Sequence, residues 1–126
     1  YLKRKICMKI KTIKELLEAE VVCGEEALGR HVYSACGSDM MSDVLAYVKD
    51  QAVLLTGLVN SQVIRTAEMM DMICIVLVRS KLPTPEMIEL AKESDIVIMS
   101  TKKRMYEACG ILYQNGLVGN EAKSHE

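Results

Sequence analysis

Four apolar, β-branched runs recur along the chain at nearly constant spacing, and this rhythm limits the fold more than any other feature. The runs end at Cys36, Thr56, Val78 and Met99, which are 20, 22 and 21 residues apart. The stretches between them place apolar residues at helical spacing. Strands that alternate with helices in this way are typical of a largely parallel sheet with helices on both faces. The sequence therefore predicts a small three-layer α/β domain with a mainly parallel sheet flanked by helices.

The elements follow from this alternation and from the residues that punctuate it. Strands are predicted at 21–23, 31–36, 52–56, 73–78 and 96–99. Ser, Thr, Asp and Asn are the preferred helix N-caps. The predicted caps are Thr12 (with Glu15 completing a capping box), Ser38 or Asp39, Asn60 or Ser61, Thr84 (followed by Pro85) and Thr101. Asn115-Gly116 is predicted to end the last helix.

The length of 126 residues suits one domain. Residues 1–7 are interpreted as a leader or a non-native remnant before Met8, residues 8–119 as the α/β domain, and residues 120–126 as a disordered tail. The longest apolar run, Met72 to Val78, has seven residues, and a membrane span needs about 20. The start of the chain has no secretory pattern. We therefore expect a cytoplasmic protein without a membrane partner.

The formal charge of −1 hides an asymmetry. Six basic residues precede Glu15, whereas the chain from Glu15 onward has 10 basic and 17 acidic residues, a charge of −7. An acidic body repels a polyphosphate backbone. Nucleic acid is therefore not an expected partner.

The five cysteines are odd in number and widely spaced. No Cys-x-x-Cys is present, and structural zinc sites and clusters normally show closely spaced ligands. Neither a metal site nor a metal cofactor is expected, and reduced thiols that pack as small hydrophobic groups are the main interpretation. A reactive thiol remains an alternative for Cys36, which lies beside Gly37 at the end of a predicted strand. An iron–sulfur or thiol-redox protein that uses Cys36, Cys74 and Cys109 is the remaining alternative.

Signatures of catalysis are missing from the sequence. No P-loop, dinucleotide-binding glycine pattern or Gly-x-Ser-x-Gly elbow is present. His31 precedes a predicted strand and His125 lies in the tail, so general-base candidates are poor. The sequence therefore predicts no catalytic residue and a protein that is not an enzyme.

Polar residues follow each predicted strand, where ligands bind in open parallel α/β sheets. Helix N-termini at that edge favour an anion. The candidate ligand-binding residues are Ser38, Asp39, Thr56, Gly57, Asn60, Arg65, Ser100, Thr101 and Lys102. The alternative is that these residues only cap helices. Two roles are open for Arg65, which can reach an anion or, as the plainer alternative, pair with Glu68.

Several of the few cations also fall at this edge. Within four residues after the ends of predicted strands lie Arg79, Lys81, Lys102 and Lys103. A cation in the first turn of a helix opposes the helix dipole unless an anion is nearby. This arrangement favours a small anionic ligand such as a nucleotide. The nine methionines fill the core or form a dimer interface.

Residues 8–119 resemble the DRTGG domain family. The resemblance rests on residues 54–60 (LLTGLVN), 63–69 (VIRTAEM), 73–78 and 106–110 (YEACG). It implies a fold similar to the N-terminal domain of HPr kinase/phosphorylase. Thr56-Gly57 matches part of the family signature, and Leu58 stands where a second glycine is usual. Other members are fused to phosphate acetyltransferases or to pyrophosphatases with CBS modules.

The resemblance implies a regulatory or interaction domain. The main hypothesis is a non-enzymatic, homodimeric regulatory domain that binds a small anionic ligand at the carboxyl edge of its sheet. The second is an interaction partner of a signalling enzyme or of a redox or hydrogenase-type enzyme, without a ligand of its own.

Overall fold

The computed structural model of the protein describes residues 7–47 and 51–119. The predicted leader up to residue 6, the tail 120–126 and Val48 lie outside these residues. The elements in the described ranges are β1 (Met8–Lys9), α1 (Ile10–Leu17), β2 (Glu20–Cys23), a 3-10 turn (Glu25–Ala27), β3 (His31–Val32), β4 (Ser34–Gly37), α2 (Met41–Tyr47), β5 (Ala52–Thr56), α3 (Ser61–Met69), β6 (Cys74–Leu77), α4 (Pro85–Glu93), β7 (Val97–Ser100) and α5 (Met105–Gln114).

The main sheet has the strand order β2-β7-β6-β5-β4. Strands β4 to β7 are parallel, with Cys36 opposite Leu54 and Leu54 opposite Ile75. Strand β2 pairs antiparallel with β7 at one edge. The carboxyl ends of β4 to β7 therefore meet at one edge of the sheet, and their amino ends meet at the opposite edge.

Helices cover both faces of this sheet. Side chains of a strand alternate between faces, so Leu54 packs with the cluster formed by α2, α3 and α4, whereas Leu55 packs with α1 and α5. Strands β5 and β6 are buried along their whole length. The predicted three-layer α/β domain with a mainly parallel sheet is confirmed.

The predicted strand from His31 to Cys36 is two strands. Residues His31–Val32 pair antiparallel with β1, and Ser34–Gly37 pair parallel with β5. The change occurs at Tyr33, whose N–H donates to the carbonyl of Gln51 at 2.8 Å. One alternating run therefore serves two sheets.

The predicted cap at Thr12 is wrong, because α1 begins at Ile10 and contains Thr12. The N–H groups of Ile10 and Lys11 donate to the carbonyls of Arg30 and Leu28, each at 2.9 Å. Backbone groups distant in sequence thus satisfy the first turn, and no capping side chain is needed.

The predictions for the other helix starts have mixed outcomes. Asn60 and Thr84 cap α3 and α4, and Pro85 occupies the first helical position of α4. Helix α5 begins at Met105, so the predicted cap at Thr101 is wrong. Helix α2 begins at Met41, and neither Ser38 nor Asp39 caps it; their side chains have other partners.

Four helices end in the same backbone arrangement. A residue in the left-handed region follows the helix, and the next N–H bonds to a carbonyl five residues earlier, which is the Schellman motif. The left-handed residues are Glu18 (φ 53°), Asp71 (φ 58°), Asp95 (φ 57°) and Gly116 (φ 101°). Three of the four positions therefore carry a side chain where glycine is least strained. Asn115-Gly116 ends α5 as predicted.

Candidate functional site

At the carboxyl edge, Asp39 joins the loop after β4 to the end of β5. Its Oδ1 accepts hydrogen bonds from Thr56 Oγ1 at 2.9 Å and from the Gly57 N–H at 2.7 Å. The Gly57 N–H is the main reason that the pKa of Asp39 is lowered; the Thr56 hydroxyl and the Arg79 charge also lower it, while partial desolvation opposes them. The carboxylate is therefore ionised and fixed at neutral pH. Three sequence candidates come together here, and we call Asp39, Thr56, Gly57 and Arg79 the Asp39 cluster.

Arg79 completes this cluster; the sequence placed it among the cations at this edge but not among the candidate ligand-binding residues. Its guanidinium lies against Gly57, so that a Cβ at position 57 would collide with it. Its backbone adopts a φ of 59°, and its N–H donates to the carbonyl of Lys103 at 2.9 Å. The position of a cation directly after a buried strand was the available signal. Glycine at 57 is what allows the guanidinium to approach the backbone so closely.

The loops after β6 and β7 are tied together beside the Asp39 cluster. Ser100 Oγ donates to the carbonyl of Lys81 at 2.7 Å, and the Ser80 N–H donates to the carbonyl of Thr101 at 2.8 Å. Thr101 is 2% exposed, and its hydroxyl donates to the carbonyl of Leu17 at 2.7 Å. The hydroxyls of Ser100 and Thr101 thus already have protein acceptors.

A pocket of about 260 Å³ lies where the end of α1 meets the loop after β7. Lys102 and Lys103 line it together with Thr101, Glu18 and Glu107. Lys103 Nζ lies 4.0 Å from Glu18 Oε1, whereas Lys102 is exposed. Because the Arg79 backbone bonds to Lys103, this pocket adjoins the Asp39 cluster.

The three other sequence candidates also have protein partners. Ser38 Oγ accepts from the Met40 N–H at 3.0 Å, and Asn60 Oδ1 accepts from the Val63 N–H at 3.3 Å. Arg65 Nη2 lies 3.9 Å from Glu86 Oε2. The pairing of Arg65 with Glu68 is therefore wrong, because the partner comes from α4. Both side chains are more than half exposed, so the pair contributes little stability.

A larger cavity, which the sequence did not indicate, lies at the opposite, amino edge of the sheet. Its volume is about 800 Å³, and it is lined by the residues that directly precede β5, β6 and β7, which are Gln51, Ile73 and Ile96. The connection after β2, residues 24–30, forms one of its walls. The antiparallel strand β2 carries this connection to the amino edge.

Cys23 and Cys74 are buried, Cys36 and Cys109 are partly buried, and Cys7 is exposed. Burial raises the pKa of Cys23, Cys36, Cys74 and Cys109; for Cys36 the neighbouring Cys109 and Asp43 raise it further. Within residues 7–47 and 51–119, no group of three or more His, Cys, Asp or Glu side chains is arranged to hold a metal ion. The helices in those ranges include none long and apolar enough to span a membrane.

The family model of the DRTGG domain matches residues 12–114. The chain therefore belongs to the DRTGG domain family, as the residues quoted from its sequence indicated. Thr56 and Gly57 of the family signature are both in the Asp39 cluster. Leu58 is half-buried and packs against the hydrophobic core under α2, α3 and α4. The curated proteins include no match to the chain.

Among solved structures, the chain is similar to the CBS and DRTGG domains of the regulatory region of Clostridium perfringens pyrophosphatase, solved with the activator diadenosine tetraphosphate. The TM-score is 0.67 at 18% sequence identity. The match covers 84% of this chain and 46% of that one, so the chain spans less than half of the pyrophosphatase region. This likeness agrees with the fold described above.

Proposed function

We propose that the chain is a non-enzymatic regulatory domain that binds a small anionic ligand, of the nucleotide class, at the carboxyl edge of its sheet. The observation that carries this proposal is the position of Arg79. Its guanidinium is held against Gly57 beside the fixed carboxylate of Asp39. A guanidinium presents two parallel N–H donors to a phosphate or carboxylate.

The surroundings of Arg79 support an anion more than a neutral ligand. Lys102 and Lys103 line the adjoining pocket. Helices α3 and α4 begin at this edge, and their N-termini carry positive partial charge. Since Ser100 and Thr101 already donate to protein carbonyls, we assign ligand contact to Arg79 and Lys102. Gly57 allows the Arg79 guanidinium to lie close to the backbone.

The comparison suggests which ligands to test first. The similar pyrophosphatase region was solved with diadenosine tetraphosphate, an adenine nucleotide with a polyphosphate chain. A polyphosphate favours sites with several cations, and the loops at this edge carry Arg79, Lys102 and Lys103, with Glu18 and Glu107 beside the two lysines. We propose no catalytic residue and no cofactor, and we place the protein in the cytoplasm.

Calorimetry tests the ligand half of the proposal. The wild-type protein is titrated with diadenosine tetraphosphate, ATP, AMP and acetyl phosphate. A charge-assisted hydrogen bond contributes ~1.5–3 kcal/mol, so Arg79→Ala is expected to weaken binding about tenfold or more. Lys11→Ala, which removes an exposed cation from α1, is the matched control and should bind as the wild type does. Absence of binding at millimolar ligand, or equal loss in both variants, would refute this half.

We further propose that the domain forms a homodimer through the face around the edge strand β4. Large apolar side chains are exposed on the elements that flank this strand. They are Met40 (60%), Leu45 (41%), Tyr106 (92%), Tyr113 (67%) and Val118 (38%). Tyr106 and Tyr113 are seven residues apart and therefore share one face of α5. Exposed apolar groups that share a face are typical of interaction surfaces, and a two-fold dimer needs only one self-complementary patch.

Light scattering tests the dimer directly. The wild-type protein should have twice the 14.1 kDa mass of one chain. The double variant Tyr106→Asp/Tyr113→Asp should have the mass of one chain. Met69→Asp, at a residue of α3 that is 67% exposed, is the control and should keep the dimer. A monomeric wild type at high concentration contradicts this half and leaves the apolar face for a different protein.

The alternative is an interaction partner of a signalling, redox or hydrogenase-type enzyme without a ligand of its own. The same exposed apolar face favours it. The two proposals separate in the calorimetry, because the alternative requires that no nucleotide binds. We do not propose an iron–sulfur protein, because residues 7–47 and 51–119 contain no group of three or more His, Cys, Asp or Glu side chains arranged to hold a metal ion; iron analysis of the purified protein checks this.

A further inference from the structure

The cavity at the amino edge has the size of a small-molecule site. Its volume of about 800 Å³ falls within the roughly 300–1,000 Å³ usual for such sites. Met72, Ile73 and Ile96 contribute apolar surface, and all three are buried residues of the core. The cavity therefore combines an apolar floor with a rim of charged side chains.

The rim of this cavity is acidic. Among the described lining residues the charged ones are Glu26, Glu68, Asp71, Asp95, Arg30 and Lys92, a net charge of −2. The helices add to this potential, since α3 and α4 both end at the cavity and helix C-termini carry negative partial charge. The amino edge is thus at the negative ends of α3 and α4, whereas the carboxyl edge is at their positive ends.

The C-termini of α3 and α4 differ in whether cations offset their negative partial charge. At the end of α4, Arg30 Nη1 donates to the carbonyl of Asp95 at 3.1 Å, and Lys92 lies in the last turn. The last turn of α3, all of which the structure describes, contains no basic residue. It contains Glu68, and Asp71 follows with a φ of 58°. Two acids at a helix C-terminus are unfavourable unless a cation lies nearby.

We infer that this cavity binds a small aliphatic diamine, with one protonated amine at the end of α3, the methylene stem over Met72 and Ile73, and the second amine at the acidic rim. The amine at this end supplies a positive charge, which the last turn of α3 does not contain among its described residues. The stem covers the apolar floor. This site is separate from the proposed anion site, because the two lie at opposite edges of the sheet.

A matched pair of probes tests the inference. Hexane-1,6-diamine and hexane-1,6-diol have the same length, and only the diamine is charged at neutral pH. Titrations of the ¹⁵N-labelled protein are expected to shift the amides of residues 68–73 with the diamine and to leave them unchanged with the diol. Equal shifts with both probes would show that charge plays no part and would overturn the inference.

Substitutions locate the site. Glu68→Gln and Asp71→Asn remove one charge each, and Asn tolerates the left-handed backbone at position 71. Each should weaken diamine binding about two- to fivefold, the range of an exposed ion pair. Glu89→Gln removes an exposed acid of α4 outside the cavity and serves as the control. If all three variants lose the same affinity, or none does, the diamine binds to the acidic surface in general and the inference fails.

Discussion

Replacing Thr101 tests how the carboxyl-edge loops are held together. Its hydroxyl donates to Leu17 O at 2.7 Å and accepts from the Lys103 N–H at 3.2 Å. Valine has nearly the same shape, so Thr101→Val removes both bonds without opening a cavity. A buried group left without its partner costs ~1–3 kcal/mol, and the second bond contributes ~0.5–1.5 kcal/mol. We expect the free energy of unfolding to fall by ~2–4 kcal/mol.

Two further substitutions separate this role from that of a helix cap. Aspartate is among the best N-caps, so Thr101→Asp would be harmless if Thr101 capped a helix. A carboxylate cannot donate to the carbonyl of Leu17, and it would be a buried charge at a position 2% exposed. We therefore expect Thr101→Asp to be more destabilising than Thr101→Val, and Thr101→Ser to be the mildest because it keeps the donor.

Urea unfolding followed by far-UV circular dichroism measures these differences. In a chain of 126 residues, ~3 kcal/mol corresponds to roughly 10 °C in the melting temperature. Thr66→Val is the control, because Thr66 is also fully buried but its hydroxyl makes only a 3.4 Å bond with Gln62 Nε2. A loss below ~1 kcal/mol for Thr101→Val, or one equal to that of the control, would refute the reasoning.

Three other predictions concern Asp39, Glu18 and the thiols. The pKa of Asp39 is lowered in the folded state. Its contribution to stability is therefore present above the unfolded pKa of ~3.9 and is lost as the pH falls through the folded pKa. In urea unfolding between pH 5 and pH 3, the free energy of unfolding should fall less for Asp39→Asn than for the wild type. Glu18→Gly should raise the free energy of unfolding by ~1 kcal/mol in the same assay, because glycine relieves the left-handed strain, whereas an unchanged or lower stability would contradict that origin. With a thiol reagent, Cys7 should react first, while Cys23 and Cys74 react only on unfolding; rapid labelling of Cys74 in the native protein would be inconsistent with its burial.

The spacing of apolar runs was sufficient to predict the sheet because it reflects burial on both faces. Strand β5 has the predicted bounds, and the Thr84-Pro85 start of α4 is correct. In these cases the determinants are local, since a buried strand and a capped turn depend on adjacent residues. The wrong predictions concern groups whose partners are distant in the sequence.

The sequence predicts that hydroxyls and carboxylates at the carboxyl edge cap the helices that follow them. In the structure, several of these groups bond instead to residues distant in the sequence. Thr101 bonds to a carbonyl 84 residues away, and Asp39 bonds to groups 17 and 18 residues away. The start of α1 is satisfied by the backbone of residues 28 and 30. A capping rule considers only the next few residues, so it cannot predict partners that folding brings together.

The same reasoning explains why the cavity at the amino edge was missed. The rule that ligands bind at the carboxyl ends of parallel strands directed attention to one edge, whereas the antiparallel strand β2 carries residues 24–30 to the other. Helices α3 and α4 both run from the carboxyl edge to the amino edge, so the dipoles point the same way. The positive potential at the helix N-termini is increased by Arg79 and Lys102. The negative potential at the helix C-termini is increased by Glu68 and Asp71. A nucleotide and a diamine should therefore bind to one molecule together, without competition, and calorimetry with one ligand in the presence of the other decides whether the two edges are independent.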